Sequence, residues 1–113
     1  MATIITKARK EKMDLLIKLD KARTENRWDY ERACEYKNMK QAKRCAKIES
    51  IVDKKAESIW EQLCKSFKVE NWWDLPDEIV GYVDKGKENN KYDRFNNYER
   101  DLERLGVKLP KRA

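Results

Sequence analysis

The 113-residue chain is 40% hydrophobic and 42% charged, with three glycines, two prolines, no histidine and a formal charge of +6. That balance suits amphipathic helices with wide charged faces around a thin core, and the four Trp, five Tyr and two Phe argue against a disordered chain. No apolar run approaches the roughly 20 residues that span a bilayer. "MATIITKARK" places its apolar patch ahead of its charges, the reverse of a secretory signal, so the expected location is the cytoplasm.

Ile5, Ala8, Leu15, Leu16, Leu19 and Ala22 recur at three- and four-residue steps and predict a first helix from about Ile5 to Arg23. "TENRWD" is expected to end it. Asn26 followed by Asp29 reads as the start of a second helix, with a capping-box-like spacing.

Between Arg27 and Phe67 there is neither glycine nor proline, which permits one long helix. Cys34, Cys45, Val52, Ala56, Ile59, Leu63 and Phe67 fall on one side of it, with Trp60 at the margin. The alternative is a break near "IESIVD", where Ser50 or Asp53 would open a new helix.

"NWWDLPDEIVGYVDKG" then predicts a turn capped by Asn71 or Asp74 and a short helix with Pro76 in its first turn. Asp77 and Glu78 complement the helix dipole there, and Gly86 is expected to stop the chain. Asn90 with Asp93 is expected to begin a last helix using Tyr92, Phe95, Tyr98, Leu102 and Leu105. Gly106 and Val107 would close it. The fold class is therefore all-α: a long helical hairpin, a short helix and a C-terminal helix in a small bundle. Residues 1–68 form the basic hairpin and 69–113 a compact subdomain packed on its end, together one domain.

The charge is uneven, at +3 over residues 1–25, +4 over 26–68 and −1 over 69–113. Lys37, Lys40, Lys43, Arg44 and Lys47 have no acid among them and share about 120° of helical arc, opposite the Cys45–Val52–Leu63 stripe. Three readings are open: a solvated outer face, contact with a phosphate backbone, or contact with an acidic protein surface. Lysine rather than arginine favours non-specific contact, since base reading uses bidentate guanidinium groups.

Catalytic signatures are missing. Without histidine, acid–base work would fall to carboxylates, lysines or tyrosines, and the sequence has no nucleophile elbow, phosphate loop or metal-ligand spacing. Cys34, Cys45 and Cys64 are expected to be buried structural thiols, too few for a zinc site without histidine. No enzyme activity, cofactor or metal is expected.

Residues 59–83, "IWEQLCKSFKVENWWDLPDEIVGYV", carry a helix aromatic (Trp60), a Phe-x-Val (Phe67, Val69), a later aromatic (Trp72), Leu75–Pro76 and the apolar Val80 and Val83. This pattern resembles the C-terminal domain found in many phage antirepressor proteins, which also follows a long charge-rich helix. The usual N-terminal DNA-binding domain is not among these residues. The resemblance implies a phage or mobile-element origin and a role in seating protein partners. It also implies that Trp72 is the structural aromatic of the corner, closing on Phe67 and Leu75. Trp73 would then point elsewhere: either onto the last helix through Tyr92 or Phe95, or outward as a partner anchor.

The function expected is a small regulatory or counter-defence protein that binds a host or phage protein stoichiometrically, with the basic stripe engaging an acidic or nucleic-acid-bearing surface. The alternatives are a small nucleic-acid-binding protein and a structural helix pair. No membrane contact is expected.

Overall fold

The computed structural model describes residues 4–90 and 98–110. Among them are four α-helices, a short 3-10 turn and no strand, so the all-α expectation holds. Helix α1 spans Lys7–Glu35, α2 Met39–Ser66, α3 Asp77–Asn90 and α4 Tyr98–Arg104, with the 3-10 turn at Trp72–Asp74. α1 and α2, of 29 and 28 residues, form a matched antiparallel hairpin that gives the molecule its 54 × 24 × 24 Å shape.

The hairpin turns elsewhere than "TENRWD" or "IESIVD". α1 runs straight through residues 24–29, and the break falls at Tyr36–Asn38. Asn26 is therefore not a cap but a buried mid-helix residue, 1% exposed. Lys37 takes the left-handed conformation (φ 58°), the Lys37 N–H donates to the Cys34 carbonyl and the Asn38 N–H to the Ala33 carbonyl. This is the Schellman pairing that satisfies the last carbonyls of a helix. The Asn38 side chain then accepts from the Gln41 N–H at 3.2 Å and starts α2.

The same closure recurs at the end of α2, where Lys68 has φ 57° and the Val69 N–H reaches the Cys64 carbonyl. It recurs again after α4. There Gly106 (φ 83°) and the buried Val107 occupy the positions expected from the sequence.

The core is one continuous cluster. Met13, Leu16, Leu19 and Ala22 of α1 join Ile48, Val52, Ile59, Leu63 and Cys64 of α2, and Leu75, Ile79, Val83, Tyr98, Leu102 and Val107 complete it. The 3-10 turn lies at the end of the hairpin, and from there α3 and α4 run along the flank of α1. Tyr82 donates to Asp14 Oδ1 at 2.6 Å, Gly86 faces Ile17, and Tyr98 reaches Asp29. Gly86 does not stop the chain, because α3 continues to Asn90. A Cβ at Gly86 would lie 2.2 Å from Ile17 Cδ1, so this glycine permits close approach of α3 to α1. Asn90 accordingly belongs to α3, while Tyr92, Asp93 and Phe95 lie outside the described residues.

Polar contacts fix the hairpin register. Arg23 reaches Glu49 and Asp53, and Arg27 donates to Glu49 at 2.6 Å. These pairs are only partly buried and contribute little individually. The enclosed contacts matter more. Asn26 Nδ2 donates to the Cys45 carbonyl of α2 at 2.7 Å, and the Tyr98 hydroxyl of α4 faces Asn26 Oδ1 at 3.2 Å and Asp29 Oδ2 at 2.8 Å. Burial, followed by the bond to Asp29, pushes the Tyr98 phenol well above its ordinary pKa.

Left-handed lysines at both ends of the hairpin yield a stability prediction. An L-residue there carries backbone strain that glycine lacks. Lys37→Gly and Lys68→Gly should each raise stability by about 0.5–1 kcal/mol, whereas Lys43→Gly inside α2 should lower it by about 1 kcal/mol. Urea denaturation checks this, and losses at all three positions would contradict the turn assignment.

Candidate functional site

Residues at the hairpin tip enclose a groove of about 820 Å³ between the last turn of α1, the first turns of α2 and the C-terminal segment. Lys40, Lys43, Arg44 and Lys47 line it from α2, with Arg32 of α1 and Tyr36 of the turn opposite. The spacing 40, 43, 47 places three exposed lysines along one edge of the helix. The structure thus gathers four of the five predicted stripe residues. Lys37 is the exception, since it sits in the left-handed turn rather than on the helix and does not line the groove.

Arg44 differs from its lysine neighbours. Its side chain is only 10% exposed and pairs through Nη2 with Glu99 of α4, while the same nitrogen donates to the Pro110 carbonyl at 3.2 Å. Arg44 Nε and Nη1 are enclosed, with no hydrogen-bond acceptor among the described residues. Arg44 is therefore a clamp joining α2 to α4 and the C-terminal segment. It does not belong to the open cationic stripe expected from the sequence.

Two carboxylates face the groove and both are occupied. Glu99 holds Arg44, and Asp29 accepts from the Tyr98 hydroxyl. Lys40, Lys43 and Lys47 form no ion pair among the described residues, so their charge is directed at solvent or at a partner. Sequence reasoning missed Glu99, Asp29 and Arg32. The first two could be found only by placing α4 beside the tip.

The tip also exposes apolar surface, with Tyr36 at 75% and Met39 at 58% exposure. Cys34 is exposed there, contrary to the expectation of three buried thiols. It falls on the last turn of α1, which the sequence assigned to a helix continuing toward Phe67. Cys45 and Cys64 are buried, and burial pushes both thiols up. Among the described residues no cluster of His, Cys, Asp or Glu could hold a metal ion, and no helix is long and apolar enough to cross a membrane.

Trp73 belongs to a different region. Lys40 and Trp60 are twenty residues apart on α2, about 30 Å at 1.5 Å per residue, and Trp72–Trp73 lie beside Trp60. The lysine row and Trp73 therefore cannot form one site.

Trp72 is not the buried aromatic of the corner. It is 51% exposed, and Leu75, at 4%, fills the core position. The Phe67 ring on which Trp72 was expected to close is covered instead by the Arg9 guanidinium, 3.7 Å from its centroid. Arg9 is held there by Ser66 Oγ at 2.6 Å, with its other nitrogens on the Ser66 and Ile4 carbonyls. Trp73 is 65% exposed, and the ring partners expected for it on the last helix lie outside the described residues.

The clamp and the lysine row should separate on mutation. Arg44→Gln breaks the enclosed ion pair with Glu99 and should cost about 3 kcal/mol. Lys40→Gln, Lys43→Gln and Lys47→Gln should each stay within about 0.5 kcal/mol. Denaturation midpoints distinguish the two classes, and a near-neutral Arg44→Gln would mean that water reaches the pair.

Comparison of the chain with protein families, with curated proteins and with solved structures found no match, so the functional reading rests on its own residues.

Proposed function

We propose that this chain acts by stoichiometric binding rather than catalysis, with the tip groove as its principal contact surface. The supporting observation is the lysine edge: Lys40, Lys43 and Lys47 stand exposed on a groove whose two carboxylates are internally engaged. A concave surface with uncompensated cations attracts a partner of negative potential and speeds its encounter. The partner chemistry that fits is an acidic protein surface, including one belonging to a nucleic-acid-handling complex. The resemblance of residues 59–83 to the antirepressor C-terminal domain supports a regulatory or counter-defence role in a phage or mobile element.

A second reading has its own observation. Tyr36 stands exposed on the same groove as the lysines, and an aromatic beside a cationic row is a platform for a single-stranded base. On that reading the protein binds nucleic acid unaided.

One variant tests both readings. The triple substitution Lys40→Gln, Lys43→Gln, Lys47→Gln, which leaves Arg44 in place, should fold normally. On the leading reading, a protein captured by the native chain at low salt is lost with the triple variant, and random DNA and RNA are not shifted by either. A shift of bare nucleic acid by the native chain alone, weakening with salt, would transfer the site to the second reading. Identical behaviour of both chains in both assays would leave the lysines as a solvated face.

A further inference from the structure

At the opposite end of the hairpin the 3-10 turn displays an aromatic surface that no helix among the described residues covers. Trp72 stacks obliquely on Trp60, with centroids 6.4 Å apart and planes at 47°, and Trp73 meets Trp72 edge-on at 5.9 Å and 80°. Trp72 and Trp73 are 51% and 65% exposed. An edge-on pair cannot hide both ring faces, so indole π-surface remains open to a partner.

The charge around these rings is negative. Glu61 follows Trp60 on α2 and Asp74 follows Trp73 in the turn, and both are exposed. Each is the chain neighbour of an indole of this surface, and both help, after burial, to push the Cys64 thiol up. Neither forms an ion pair among the described residues. Arg9, the cation anchored nearby, is committed to Ser66, Ile4 and the Phe67 ring. Lys65 lies about 140° from Trp60 around α2. Among the described residues no cation stands over these indoles.

We infer that the Trp60–Trp72–Trp73 surface, flanked by Glu61 and Asp74, is a docking site for a peptide segment bearing arginine or lysine. The indole face attracts a guanidinium or ammonium through its quadrupole, most strongly for tryptophan, and the exposed carboxylates of the adjoining residues offer ion-pairing oxygens. Polyanions are disfavoured by the same carboxylates. This site is independent of the tip groove and takes the opposite charge.

The test uses the intact chain and two synthetic peptides, one rich in arginine and the other with glutamine at every arginine. Tryptophan emission should change saturably with the arginine peptide, and the glutamine peptide should bind at least about tenfold more weakly. Trp73→Ala, exposed enough to leave the far-ultraviolet spectrum unchanged, and the double variant Glu61→Gln, Asp74→Asn should each weaken the arginine peptide by about tenfold or more. The tip variant Lys40→Gln, Lys43→Gln, Lys47→Gln should bind the arginine peptide as well as the native chain or better, which separates this site from the groove. Equal affinity for both peptides would make the surface a purely apolar dock and overturn the inference. So would no emission change with either, or association of the chain with itself that Trp73→Ala abolishes.

Discussion

Asn26 occupies a core position with a primary amide, and three helices are arranged around its two ends. Its nitrogen donates to the Cys45 carbonyl on α2, and its oxygen faces the Tyr98 hydroxyl on α4. A buried amide left unpartnered costs about 1–3 kcal/mol, so only arrangements that bring both partners to it are stable. An apolar side chain would tolerate sliding of α2 along α1 or displacement of α4. The amide does not, and here a polar core group specifies register.

The tip follows from that constraint. With Tyr98 seated against Asn26 and Asp29, the next residue, Glu99, falls where it can hold Arg44. The clamp closes the side of the groove and draws Arg44 out of the cationic row, leaving Lys40, Lys43 and Lys47 as its exposed charge. At the other end Arg9 does comparable work. By covering Phe67 and capping the Ser66 carbonyl it takes the contact expected of Trp72, and the indoles stay outside. The elongated molecule therefore carries a cationic groove and an acidic aromatic surface about 30 Å apart.

Much of this was legible in the sequence because it depends on periodicity. The Val52–Ile59–Leu63 stripe, the Gly106–Val107 closure and the absence of strands among the described residues all follow from local spacing. The position of the hairpin turn was not legible, and two features concealed it. Glu25 and Asn26 place polar residues on the buried face of α1, so the apolar pattern fades where the helix does not end. The turn itself uses a lysine in the left-handed conformation where glycine is the usual signal. The spacing Asn38–Gln41 was the available clue, a cap followed at the third position by glutamine. The lysine row was readable from spacing alone. That Arg44 leaves it was not, because Glu99 lies 55 residues away and reaches Arg44 only through the tertiary placement of α4.

The dependence of the tip on the buried amide is tested most directly by a double-mutant cycle between Asn26→Ala and Tyr98→Phe, read by urea denaturation. If Asn26 and Tyr98 act as one unit that seats α4, the two losses should be non-additive, with a coupling of about 1 kcal/mol or more. Losses that add to within about 0.3 kcal/mol would mean that α4 is held by apolar packing alone, and would contradict the account.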